Sequence, residues 1–186
     1  MDWWSDYRED MKRYVALRGG LVVSLLTEQG LWALFQYRVA SSIYRSSVSP
    51  SRKRLLLLLT EVWRKPIEIA TGISIPYRAS IEPGFYIGHF GNIFVHADAV
   101  IGERCNIHQG VTIGISGRGA ARGVPTIGNR VYIGPGASIL GKLSIGDDAV
   151  ISANSLVVSD VPAHTTVMGV PARVISKDGS EEFIKG

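Results

Sequence analysis

Cysteine is almost missing from these 186 residues. The single thiol, Cys105, excludes an internal disulfide and any cysteine-based zinc cluster, and is compatible with a reducing cytoplasm. Long apolar runs are missing as well: the longest, Leu55 to Leu59 with Thr60 and Val62 behind it, falls far short of the roughly 20 residues of a spanning helix. The opening Met1-Asp2-Trp3-Trp4-Ser5-Asp6 is polar and acidic, without the basic stretch and apolar run of a secretion signal, so a cytoplasmic location is expected. Excess charge is small. The net +4 lies wholly in residues 1–70, where 11 Lys and Arg face 7 Asp and Glu, and residues 71–186 balance at 9 against 9. Nothing here calls for a nucleic-acid partner. A basic, partly apolar first region is compatible with the inner face of an anionic membrane, at about 1 kcal/mol per basic residue near the surface, and equally with a solvated helix face.

What is present is a 46% apolar chain, sufficient for a buried core without staples, in two regions of different period. Over residues 1–70, apolar residues recur at helical spacing: Tyr7, Met11, Tyr14 and Val15, then Leu31, Leu34, Phe35, Val39 and Ile43 with Arg38 on the same stripe. These are amphipathic helices. Gly19-Gly20 and Gly30 read as breaks, Ser49-Pro50 opens a third helix, and Pro66 is expected to end or kink it. Trp3, Trp4, Trp32 and Trp63 read as core or subunit contacts rather than a binding surface.

From residue 71 to 175 the period becomes six. Aliphatics stand at Ile75, Ile81 and Ile87, at Val95, Ile101, Ile107 and Ile113, and at Ile127, Ile133, Ile139, Ile145, Ile151 and Val157. Glycine often follows them (Gly88, Gly102, Gly114, Gly128, Gly134, Gly146), and four residues on the position is mostly small or apolar (Ala79, Ala99, Cys105, Val111, Val131, Ala137, Ala149, Ser155). Six matches neither a helix nor a simple strand. It means a short strand and a tight turn, repeated, three of which close a triangular coil of about eighteen residues. The expected fold is mainly β: a left-handed parallel β-helix over 71–175, a helical region over 1–70 and a tail over 176–186. The glycines are expected to supply corner geometry that bulkier residues resist, and Cys105 is a packing residue.

A regular solenoid has no cleft, so function is sought where the period fails. Between Ile87 and Val95 the spacing is eight, around Gly88-His89-Phe90-Gly91-Asn92; between Ile113 and Ile127 it is fourteen, adding a Gly-rich arm that carries Arg118 and Arg122. Counting repeats puts Ile87, Ile107, Ile133 and Ile151 on one face and Val95, Ile113 and Ile139 on another, so that His89 and Gln109 are equivalent in adjacent coils. His108 is then expected near His89, at the edge from which the arm leaves. A neutral imidazole is suited to taking a proton near pH 7, and His89, alone inside a break, is the candidate base, with His108 beside it. His96 and His164 read as surface residues. Zinc held by histidines on a β-helix, as in γ-class carbonic anhydrases, needs a close pair that His89, His96 and His108 lack, so no metal is expected.

These residues resemble the hexapeptide-repeat acyltransferases, and within them the serine acetyltransferase group. The resemblance covers roughly 71–175 and rests on Gly72-Ile73-Ser74-Ile75, on His89 after a break, on Gln109-Gly110-Val111-Thr112-Ile113-Gly114 before the arm, and on Val161-Pro162-Ala163-His164-Thr165-Thr166 with Gly169-Val170-Pro171-Ala172-Arg173-Val174. It implies a homotrimer with sites between subunits, acetyl-CoA along the groove between coils, and His89 as general base for direct attack of a hydroxyl on the thioester. Whether two trimers pair through the helices is left open. Cofactor contacts carry over to Gly114, Ile115, Pro135 and Ala153; Arg118, Arg173 and Lys177 are candidates for its phosphates on charge and location.

The departures are Ser74 and Gly88, where that group carries aspartates, and Gly123-Val124, where it carries an Arg-His pair; Arg122 stands one residue away. From these missing charges, and a likeness of the short Trp-bearing helical region to colanic-acid acetyltransferases, the expected acceptor is a saccharide of cell-surface polysaccharide synthesis. Phe85, Tyr86, Phe90 and Asn92 would be its neutral and aromatic surface. A serine acetyltransferase of cysteine synthesis and a non-catalytic β-helix assembly partner are the alternatives.

Overall fold

The structure, a computed structural model, describes residues 2–18 and 20–184. Its helices are α1 (Trp3–Arg18), α2 (Leu21–Thr27), α3 (Gln29–Arg45) and α4 (Pro50–Thr71). The short α2 has no counterpart in the sequence reading. Of the two expected breaks, Gly19 lies outside the described residues and Gly20 precedes α2, whereas Gly30 lies inside α3. A Cβ at Gly30 would collide with the Tyr14 hydroxyl and with Ile87, so this glycine serves close packing of α3 rather than a break. Pro66 does not end α4. The helix runs on to Thr71 and stops at Gly72, left-handed at φ 65, whose N–H reaches Glu68 O at 2.8 Å. Ion pairs from Arg64 to Glu61 and Glu68 straddle the missing proline N–H and hold the turns on either side of it.

The strands are short: β1 (Ile73–Ser74), β2 (Ser80–Ile81), β3 (Tyr86–Ile87), β4 (Ile93–Val95), β5 (Val100–Ile101), β6 (Asn106–Ile107), β7 (Thr112–Gly114), β8 (Thr126–Ile127), β9 (Tyr132–Ile133), β10 (Ser138–Leu140), β11 (Ser144–Ile145), β12 (Val150–Ile151), β13 (Leu156–Val157), β14 (Thr166–Gly169) and β15 (Ala172–Ser176). They form three sheets, ordered β1-β4-β7-β10-β13, β11-β8-β5-β2 and β15-β14-β12-β9-β6-β3, the faces of a left-handed β-helix. Register follows the period of six. Ile87 stacks on Ile107, Ile107 on Ile133 and Ile133 on Ile151, and on the next face Val95 stacks on Ile113 and Ile113 on Ile139. These aliphatics and the small residues four positions later, Cys105 among them, make the buried core.

The corner glycines act differently from expectation. Left-handed backbone falls three residues after the aliphatic, at Arg104 (φ 57), Arg130 (φ 52), Asp148 (φ 58) and Asn154 (φ 57) as well as at Gly110 and Gly136. The glycine directly after the aliphatic is instead needed for approach of the next coil. A Cβ at Gly102 would stand 2.6 Å from Gly128 O, and one at Gly134 would stand 2.7 Å from Ala153 N. Spacing between stacked coils, about 4.8 Å, leaves no room there for a side chain.

An open solenoid end exposes unpaired backbone groups, a template for further strands. Here α1 and α3 cover the first coil with hydrogen bonds. Tyr37 Oη accepts from Ile81 N (3.0 Å) and donates to Ala79 O (2.8 Å); Tyr14 Oη does the same with Ile87 N (2.9 Å) and Ile87 O (3.2 Å). Asp10 accepts from Phe85 N and pairs two-pronged with Arg38, at 2.9 and 3.0 Å, while Arg38 also donates to Ile81 O and Glu82 O. At the far end β15 turns back antiparallel on β14. The tryptophans are not core: Trp3 and Trp63 pack edge-on to Phe35, and Trp4 and Trp32 are exposed. Among the described residues no helix is long and apolar enough to cross a membrane.

Candidate functional site

Register aligns His89, Gln109, Pro135 and Ala153, each two residues past a stacked isoleucine, along the corner where β3, β6, β9 and β12 turn toward the next face. The first break places His89 on the surface of this corner. Asn92, left-handed at φ 52, and Gly91, at φ 106, turn the inserted residues back toward β4, and Gly110 N binds Gly91 O at 2.9 Å.

One residue earlier in each repeat, Gly88 sits against His108. A Cβ at Gly88 would stand 2.6 Å from His108 Cδ2, so the imidazole occupies the space that a side chain at 88 would need. His108 Nδ1 lies 3.0 Å from Ile133 O and donates to it, which directs Nε2, the acceptor nitrogen, toward Gly88. Burial is the main cause that lowers the His108 pKa, the Ile133 carbonyl opposes it, and His89 adds to it. The two rings stand 6.3 Å apart between centroids, and Tyr132 backs His108 at 5.0 Å.

His89 faces a cleft of about 500 Å³. Gly88, His89 and Phe90 form one wall, and Thr27, Glu28 and Gln29, at the junction of α2 and α3, form the other. The sequence reading missed this second wall. Its residues lie outside the period of six, and only their position after a short unanticipated helix would have drawn notice to them.

The remaining site candidates are dispersed. Phe85 is fully buried under α1 and Tyr86 is 8% exposed against Tyr14 and Arg13, so neither can meet an acceptor, whereas Phe90 and Asn92 are exposed beside His89. Alternation along β3 turns Tyr86 onto the helical cap, a neighbour that strand spacing does not reveal. The Gly-rich arm does not leave from the histidine corner. It follows β7, at the opposite edge of that face, tied by a Ser116–Gly123 bridge, with Gly114 at its root and Ile115, Arg118 and Arg122 exposed on it. Pro135 and Ala153 share the His89 corner, and Arg173, opposite Met168, lies at its carboxyl end. Lys177 follows Ser176, which pairs with Thr166 at the other end of β14, so it does not join them. Ser74 turns toward α4, its hydroxyl 3.5 Å from Arg64 Nη1. Burial pushes the Cys105 thiol up to about 12, as fits a packing residue.

Residues 125–159 match the family described as bacterial transferase hexapeptide (six repeats). The chain is 37% identical over 175 residues to the serine acetyltransferase of Synechococcus elongatus, covering 94% of this chain and 68% of that protein. Among solved structures it is similar to Neisseria gonorrhoeae serine acetyltransferase in complex with serine (TM-score 0.80, 32% identity, 94% of this chain and 69% of the other). It is also similar to the Brucella abortus serine acetyltransferase in complex with coenzyme A (TM-score 0.83, 27% identity, 96% and 69%).

These likenesses overturn the expected saccharide acceptor, and with it the assignment to polysaccharide synthesis and to membrane glycolipids. That expectation counted charge on the β-helix alone. The cleft has a helical wall too, and Glu28 on it carries charge that no repeat position shows.

Proposed function

Because the chain belongs to the serine acetyltransferase family of hexapeptide-repeat acyltransferases, we propose that it acetylates the hydroxyl of L-serine from acetyl-CoA, with His89 as general base. The observation that carries this reading is the overlap of the family likeness, across 94% of the chain, with an exposed histidine on the cleft.

In this mechanism His89 accepts the proton of the serine hydroxyl as its oxygen attacks the thioester carbonyl. The tetrahedral adduct collapses, the C–S bond breaks, and the imidazolium returns the proton to the departing CoA sulfur. No acetyl-enzyme forms. His108, held neutral by burial and oriented by Ile133 O, keeps its ring beside the base without competing for the proton. The co-substrate lies along the corner of Pro135 and Ala153 and the face bordered by Gly114 and Ile115, with Arg118 and Arg173 toward its phosphates.

The arm and His89 stand at different edges of one face, so a single chain does not bring Arg122 to the base. A homotrimer, in which a neighbour's arm closes over the His89 corner, supplies the missing side of the site. Release of CoA thiol followed with saturating L-serine tests the reaction. Turnover on the order of 10 s⁻¹ is expected, and release no faster than hydrolysis without serine refutes it.

A further inference from the structure

We infer that Phe183 is a positioning residue for the histidine corner, holding the His108 ring in place through Tyr132; the inference rests on the reading above that this corner carries the reaction. The segment that brings Phe183 there follows β15 and lies against the outside of the sheet that contains β3, β6, β9 and β12. Thr166 Oγ1 donates to Asp178 O at 2.8 Å. Ser180, fully buried, donates from its backbone N to Asp148 O at 2.9 Å and from its hydroxyl to Arg130 O. Asn106 Nδ2 then donates to Phe183 O at 3.2 Å. The segment closes a face that solvent would otherwise reach. Asn106, at the outward position of β6, is 4% exposed, whereas Phe94 and Val100, at the outward positions of strands in the other two sheets, are 53% and 44% exposed.

Tyr132, outward on β9, has no core to pack into. Its ring meets two others, His108 at 5.0 Å and Phe183 at 4.6 Å between centroids, both within the range of favourable aromatic pairs. His108 is anchored through Nδ1 to Ile133 O, a bond about which the ring can still turn, and packing against Tyr132 restricts that turn. Burial raises the pKa of Tyr132 and is the main cause that lowers that of His108. Water admitted where Phe183 stands would weaken both effects. A loosened, wetted His108 would take up a proton nearer neutral pH, and its charge, 6.3 Å from His89 between ring centroids, would oppose protonation of the base.

NMR titration of the imidazoles in the full chain tests this without any acceptor. In wild type His108 is expected to titrate below its ordinary 6.5, and in Phe183→Ala to move up toward that value. Phe183→Tyr, which keeps the ring, should stay at the wild-type value, with His96 unchanged throughout as the control. Kinetics with L-serine supply the second arm. Phe183→Ala should lower kcat about 2- to 10-fold, the worth of one aromatic pair, leave the KM for acetyl-CoA close to wild type, and have no further effect once His108→Ala is present. An unmoved His108 titration in Phe183→Ala, even alongside a lower thermal midpoint, makes the residue a structural staple and overturns the inference. An equal loss of kcat with and without the His108 side chain overturns it too. Absence of serine turnover in the wild type overturns the acceptor instead, and the titration then decides Phe183 alone.

Discussion

His89 and His108 differ in what surrounds them, and that difference can be measured. His89→Ala removes an exposed side chain with no core contact, so the fold should persist while kcat falls by about 10²-fold or more; circular dichroism alongside the thiol assay checks both halves. His108 is a packing partner of Gly88. Gly88→Asp therefore forces the imidazole off Ile133 O and should destabilise by about 1–3 kcal/mol, and adding His108→Ala should recover most of that loss in denaturant midpoints. Titration gives a separate handle. The unfolded His108 takes up a proton near its ordinary 6.5, and the folded one does so lower. Its contribution is complete above 6.5 and is lost as the pH falls toward the folded value, because the unfolded chain then binds more protons. The stability of wild type should drop more steeply between about pH 7 and 5 than that of His108→Gln; parallel curves would contradict the buried neutral ring.

At the scale of elements, the helices are a lid on the solenoid rather than an appendage. Asp10 and Arg38 join α1, α3 and the first coil, and both are buried. Asp10→Ala leaves a buried guanidinium without its counter-charge and should cost about 3–5 kcal/mol, read from urea unfolding. The arm is the opposite case. Residues 117–122 are exposed beyond a single bridge between Ser116 and Gly123 and lie outside the stacked core, against which only Val124 of the inserted segment packs. Replacing residues 117–122 by a short Gly-Ser link should leave the thermal midpoint within a few degrees and remove acetyl transfer. A large loss of stability would show that the arm belongs to the fold.

For the whole molecule, the proposed homotrimer would join the arm of one chain to the His89 corner of another, which the single chain keeps apart. Sedimentation at micromolar concentration should give a trimer or a multiple of it. Two inactive chains, His89→Ala and the arm-shortened variant, should regain activity when unfolded and refolded together, since some sites then combine an intact base with a neighbour's intact arm. No recovery in mixed trimers would place base and arm of each site in one chain.

The period of six, carried by isoleucines from Ile75 to Ile151, was sufficient to foretell the coils, their register and the shared corner of His89 and Gln109, because stacking identical inward positions leaves one solution for the chain. Its two interruptions marked His89 and the arm for the same reason. Three things lay beyond it. Tyr86 and Phe85 face α1 and are closed off, the arm leaves from another edge than the histidines, and Glu28 meets His89 across a cleft. The first and the last depend on how the helices dock on the first coil, through Asp10, Arg38, Tyr14 and Tyr37 bonding to backbone groups some tens of residues away, whereas the edge of the arm is set by β7 lying on a different sheet from β3. Such contacts are set by which surfaces meet in space, and leave no spacing in the chain by which they can be read.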